Sequence, residues 1–97
     1  MAYATKRRRE PVRQGGTGVL EFPGFKGEVE YELIGVLKGL RPGGPGLKGS
    51  VMTSLETAKE AFSAGHGHLQ LEDGRSYRVT MLGHTAGSTV TYFELTV

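Results

Sequence analysis

The clearest pattern in the chain is Gly27-Glu-Val-Glu-Tyr-Glu-Leu33, which alternates apolar Val29, Tyr31 and Leu33 with acidic Glu28, Glu30 and Glu32. A period of two marks a half-buried β-strand, with successive side chains on opposite faces. Beyond Leu33 the alternation fails at Ile34-Gly35-Val36-Leu37, which a bulge or bend at Gly35 in a long strand, or burial on both faces, would explain. Shorter strands are expected over residues 17–22, stopped by Pro23-Gly24, and over residues 48–53 around Val51.

A hairpin over residues 65–81 can be solved from its turn chemistry. With a two-residue loop at Asp73-Gly74, the two strands bury opposite faces. With the three-residue loop Glu72-Asp73-Gly74, a type I turn followed by a left-handed glycine, Leu71 faces Arg75, Leu69 faces Tyr77, Gly67 faces Val79 and Gly65 faces Met81. All the apolar residues then share one side, and a one-residue slip would destroy that agreement. The opposite face carries His66, His68, Gln70, Ser76, Arg78, Thr80 and Leu82. The next run turns Thr91, Phe93, Leu95 and Val97 inward and sets Val90, Tyr92, Glu94 and Thr96 beside Arg78, Thr80 and Leu82.

Between these strand regions, Thr53-x-x-Glu56 has the spacing of a capping box. It opens a helix over about residues 54–64 that aligns Leu55, Ala58 and Phe62 and stops at Gly65. So short a helix depends on docking that stripe against a sheet. The expected fold is mainly β: about six mostly antiparallel strands forming a small barrel or strongly curved sheet, with one short helix before a C-terminal three-stranded meander.

Ninety-seven residues suffice for one modest core. Residues 1–14 hold five basic side chains against Glu10, a net of +4, while the remainder holds seven basic and nine acidic, a net of −2. Residues 1–15 therefore read as a disordered basic arm and residues 16–97 as a single β-rich domain. The absence of cysteine excludes disulfides and thiolate chemistry and fits a reducing compartment. No apolar run approaches a membrane span and no signal segment is evident, so a cytoplasmic location is expected.

The sharpest charge feature is Lys6, Arg7, Arg8 and Arg9 with Arg13, a candidate polyanion-binding arm, since arginines neutralise phosphates and release counterions. Arg9-x-x-x-Arg13 ahead of a six-stranded β domain resembles one motif of the PilZ family, which binds cyclic di-GMP. That family pairs it with Asp/Asn-x-Ser-x-x-Gly on the barrel; here there is no asparagine, and the single aspartate, Asp73, precedes Gly-Arg-Ser. The second motif is absent, and the resemblance does not assign the chain to the family.

His66-x-His68 sets two imidazoles on one strand face, a spacing that a metal site can use, but it lacks a third ligand nearby. By strand arithmetic, His84 lies roughly 13 Å from the residue opposite His66. Gly43-Gly-Pro-Gly-Leu-Lys-Gly-Ser50 has Lys-Gly-Ser where a phosphate-binding loop needs Gly-Lys-Ser, so it reads as a linker. The serines lack a nucleophile elbow, and Asp73 is committed to a turn.

Neither an enzyme, a metal nor a cofactor is expected. The reading is a non-catalytic protein-interaction or oligomerisation module, with a protein partner or a second copy as its target. Its candidate surface is His66, His68, Arg78, Thr80 and Tyr92, and the Leu82/Val90/Tyr92 side is more apolar than a solvated face needs. A final strand reaching Val97 would offer a free edge. The alternatives are a nucleic-acid-binding barrel using the arm and a ligand-binding barrel using the two histidines and Arg78.

Overall fold

A computed structural model describes residues 13–97. Lys6, Arg7, Arg8 and Arg9 lie outside the described residues. The strands are β1 (Arg13–Phe22), β2 (Phe25–Ile34), β3 (Leu47–Met52), β4 (His66–Gln70), β5 (Ser76–His84) and β6 (Val90–Thr96), with one helix, α1 (Leu55–Ala64), between β3 and β4. They pair antiparallel in the order β1-β2-β3-β6-β5-β4, and β4 returns to β1 to close a barrel.

The alternation read from β2 sorts its side chains as expected. Val29, Tyr31 and Leu33 point into the core, and Glu28, Glu30 and Glu32 stand outside. Leu20, Leu69, Val51, Val79, Phe93 and Leu95 fill the interior between them. The β4–β5 hairpin has the three-residue loop: Leu69 pairs with Tyr77 and Gly67 with Val79. The Leu71 amide donates to the Arg75 carbonyl at 2.8 Å, and Gly74 sits at φ 89°, where only glycine is unstrained. The Asp73 carboxylate accepts from the Arg75 amide at 2.9 Å. The Arg75 guanidinium is held above its ordinary pKa by a hydrogen bond to Tyr77 and then by the nearby Tyr77 and Asp73 charges.

Several expectations are corrected. β1 begins at Arg13, four residues before the strand start anticipated at Thr17, and runs in register with β2 from Arg13↔Ile34 to Phe22↔Phe25. Glycines at 15, 16 and 18 hide this strand from a hydrophobic pattern while leaving its backbone free to pair. β2 ends at Ile34 rather than bending onward, because Gly35 takes φ 117° and a 3-10 turn follows over Leu37–Gly39. The helix is capped by Ser54, not Thr53: the Ser54 side chain accepts from the Thr57 amide at 3.1 Å. Its buried residues are Ala58 and Ala61, while Leu55 and Phe62 remain 49% and 43% exposed. Small side chains let the helix backbone approach β5 and β6, and buried Thr91 donates its hydroxyl to the Ala58 carbonyl at 3.3 Å. Val97 lies beyond β6 and is exposed rather than core.

Closure rests on a short seam. β1 and β4 pair only at Val19↔Gln70, Leu20↔Leu69 and Glu21↔His68. A methyl at Gly18 would strike the Gln70 carbonyl, and one at Gly67 would strike the Glu21 carbonyl, so a glycine at each end of the seam permits the approach. Past the last pair, the β4–β5 loop crosses to β1 and β2. The Glu72 amide donates to the Tyr31 hydroxyl at 3.2 Å, and the Thr17 amide donates to the Glu72 carboxylate at 3.3 Å. With the ring closed, β6 is paired on both sides, so the free edge anticipated there does not exist.

Gly18→Ala and Gly67→Ala should each lower unfolding free energy by roughly 1–3 kcal/mol in urea titrations, the usual cost of overpacking. Gly39→Ala, where an added Cβ would meet nothing within 4 Å, should change it by less than about 0.5 kcal/mol. Equal effects at all three positions would contradict the seam.

Candidate functional site

The hairpin register carries over directly to the outer surface. His66 lies opposite Thr80 and His68 opposite Arg78, so these four expected site residues share one exposed face. Tyr92 does not join them. Glu94 occupies the position opposite Thr80, and Tyr92 pairs with Gly83 beyond a bulge between Met81 and Gly83. The candidate surface therefore divides into two parts.

The first part is the histidine side. His68 is flanked by Glu21 on β1 as well as Arg78 on β5, giving a row of mixed charge that continues to Lys26. Beside it, where β1 leaves the seam, lies an open groove of about 760 Å³ lined by Glu21, Phe22, Phe25, Lys26, His66 and His68. Its floor is set by the Phe22–Phe25 stack, with ring centroids 5.0 Å apart across the Pro23-Gly24 turn. His84 is elsewhere: its Nε2 lies 2.9 Å from the Ser88 carbonyl, and its ring lies 6.3 Å from that of Phe62. Among the described residues, no group of three or more histidine, aspartate or glutamate side chains is placed to hold a metal ion. The exposed residues on this side make a polar, solvated face.

The second part is apolar. Tyr92 on β6 lies between Ser50 on β3 and Gly83 on β5, two residues too small to cover a phenol ring, and it is 54% exposed. One step along the same strands, Val90 pairs with Met52, which is 53% exposed. Leu82, in the β5 bulge, is 48% exposed. Leu82, Val90 and Tyr92 belong to the face that the sequence singled out; Met52 does not. Its inward neighbour Val51 was legible, but the pairing that brings Met52 beside Val90 joins strands separated by the helix and a hairpin.

Across β3 from this patch stands the acidic column. Glu30 pairs with Met52 and Glu32 with Ser50. The outward partners of Glu28 and Glu30 on β1 are Val19 and Thr17, which offer no charge. Glu32 is reached by Arg13 at 3.2 Å, with both side chains about half exposed. Such a pair contributes at most about 1 kcal/mol. A cleft of about 220 Å³, lined by Glu30, Glu32, Ser50, Met52 and Val90 among others, spans the boundary between carboxylates and apolar side chains.

Of the expected polyanion arm, Arg13 alone falls among the described residues, and it is engaged with Glu32 at the start of β1. Fold and face together define a small closed antiparallel barrel that carries an apolar and an acidic strip side by side on its outer wall. Comparison with protein-family models gives no match, and comparisons with curated proteins and with solved structures give none that is significant.

Two imidazoles on one exposed strand face make a weak metal site at most. Equimolar zinc should leave the His66 and His68 ring resonances unshifted at neutral pH; coincident shifts of both would contradict that reading.

Proposed function

We propose that this chain is a non-catalytic protein-interaction module that docks its partner on the outer wall of β3, β5 and β6. The observation that carries the reading is the group Met52, Leu82, Val90 and Tyr92: large apolar side chains, three of them about half exposed, gathered on three adjacent strands. Isolated exposed apolar residues are ordinary, but a cluster rimmed by charge is the usual composition of a recognition surface. β3 and β6 are paired on both sides, so a partner on this wall must be held by side chains and not by adding a strand.

Tyr92 is the anchor of this surface. Aromatic residues with open faces dominate interface energetics because they bury much area with few rotamers to freeze. The glutamates across β3 decide the sign of the partner. A nucleic-acid backbone passing this side would be repelled by Glu28, Glu30 and Glu32, whereas a cationic peptide segment would be drawn in. Among the described residues no helix is long and apolar enough to cross a membrane, and a cytoplasmic location belongs to this proposal.

Selection of peptides from a random display library on the immobilised full chain tests it. The selected sequences should combine basic with aromatic or aliphatic residues. Their affinity should fall by about tenfold or more with Tyr92→Ser, as expected for an interface hot spot. It should be unchanged by His68→Ala on the other side. Peptides indifferent to Tyr92 and Met52 would refute the assignment of the face.

A further inference from the structure

We infer that the outer wall of β2, β3 and β6 is the docking site for residues 1–12 of the same chain, bound in cis. The inference rests on the docking face proposed above and names its resident occupant. Three independent features point to it: the point of entry of the segment, its charge, and the order of its residues.

The point of entry comes first. β1 starts at Arg13, which pairs with Ile34 and places its guanidinium on Glu32. The preceding chain thus enters at the end of the acidic column. Pro11 has no backbone N–H to continue a ladder. From Arg13, Tyr92 lies three strands across and two residues along the barrel wall. With strands about 4.8 Å apart and a rise of about 3.3 Å per residue, that is roughly 16 Å over the surface. Twelve residues can span up to about 40 Å, so the segment can turn back and cross the wall with length to spare.

Charge gives the second feature. Residues 1–12 carry Lys6, Arg7, Arg8 and Arg9 against Glu10, while residues 13–97 carry eight basic and nine acidic side chains. The acidic column is the strongest negative feature that this segment meets first, and Glu28 and Glu30 have no basic partner opposite them on either neighbouring strand. An exposed ion pair contributes little alone. Glu28 and Glu30, with Glu32 shared with Arg13, facing four cations on a tethered segment act together, because the tether holds the segment at an effective concentration of the order of millimolar.

Order supplies the third. Moving away from Arg13 past Val12, Pro11 and Glu10, the segment presents its four cations and then Thr5, Ala4, Tyr3, Ala2 and Met1. Moving away from β1, the wall presents the glutamates of β2 first and then Met52, Val90 and Tyr92 of β3 and β6. The two sequences of chemistry run in parallel. The cleft lined by Glu30, Glu32, Ser50, Met52 and Val90 sits where they change over, and its mixed walls suit the stem and head of an arginine or the ring of Tyr3. The segment is then a built-in competitor for the external partner, which must displace it.

The chain contains no cysteine, so Ala4→Cys gives a unique position for a nitroxide spin label. Paramagnetic broadening in the full-length protein at low salt should at least halve the amide signals of Ser50, Met52, Val90 and Tyr92, and spare those of His66, His68 and Gln70. The effect should vanish at about 1 M salt, where the Debye length falls to about 3 Å. It should also vanish at low salt in the Glu30→Gln/Glu32→Gln variant. Broadening that is absent, uniform, or centred on β4 overturns the inference, as does broadening that survives loss of both carboxylates. Broadening of an unlabelled isotope-enriched chain mixed with spin-labelled protein identifies a second copy as occupant and overturns docking in cis. If the label spares the wall while Tyr92→Ser still abolishes binding of the selected peptides, the docking face stands and its occupation by residues 1–12 falls.

Discussion

Three residue pairs between β1 and β4 turn a curved sheet into a barrel. Strands from the two ends of the sheet order approach there closely enough that a single methyl at either flank, on Gly18 or Gly67, would collide with a backbone carbonyl. Glu72 extends the seam by bonding across it to Tyr31 and Thr17, so the tip of the β4–β5 hairpin holds the first hairpin in place. Leu20 and Leu69, the central pair of the seam, are both fully buried, so the same contact closes the ring and completes the core. The remaining elements are arranged around this junction. The helix covers the end of the barrel where β3 leaves and β4 begins, and Thr91 ties it there by its bond to the Ala58 carbonyl.

Closure has a functional consequence. An open sheet of this size would present backbone groups at its edges, and its recognition chemistry would be strand addition. A closed ring gives that up and leaves the outer wall, whose character is set by which outward residues the ladder places side by side. On the histidine side, the ladder interleaves Lys26, Glu21, His68 and Arg78 in a row of mixed charge. On the other side, it sets Met52 against Val90, leaves Tyr92 uncovered between Ser50 and Gly83, and lines the glutamates of β2 alongside. The asymmetry between these two walls is the physical basis of the docking proposal, and the strongly basic segment ahead of β1 is the occupant proposed for it.

How much of this was legible in the sequence depended on how local the determining interaction is. The β4–β5 register followed from one turn, because glycine at 74 and the parity of five apolar residues admit a single solution. The face of β2 followed from strict alternation. The start of β1 did not, since Arg13-Gln-Gly-Gly pairs through its backbone and carries no hydrophobic signal. The helix was placed correctly and Ala58 of its expected stripe is buried, but Leu55 and Phe62 are not. Leu55 and Phe62 have the volume, but Ala58 and Ala61 allow the close approach that decides which side docks. Tyr92 was grouped with the histidines because the β5–β6 register is not readable from either strand alone; Thr80 pairs with Glu94, which leaves Tyr92 two residues further along, opposite Gly83. Met52 was missed because its neighbour across the ladder comes from a strand nearly forty residues away.

The most direct test of this account is the seam itself. Nuclear Overhauser contacts between the backbones of Val19 and Gln70, Leu20 and Leu69, and Glu21 and His68 should all be present in solution, with the Leu20 and Leu69 amides among the slowest to exchange. Protection of the β1–β2 and β4–β5 ladders without any contact between β1 and β4 would describe an open sheet with two free edges, and would contradict both the barrel and the recognition mode inferred from it.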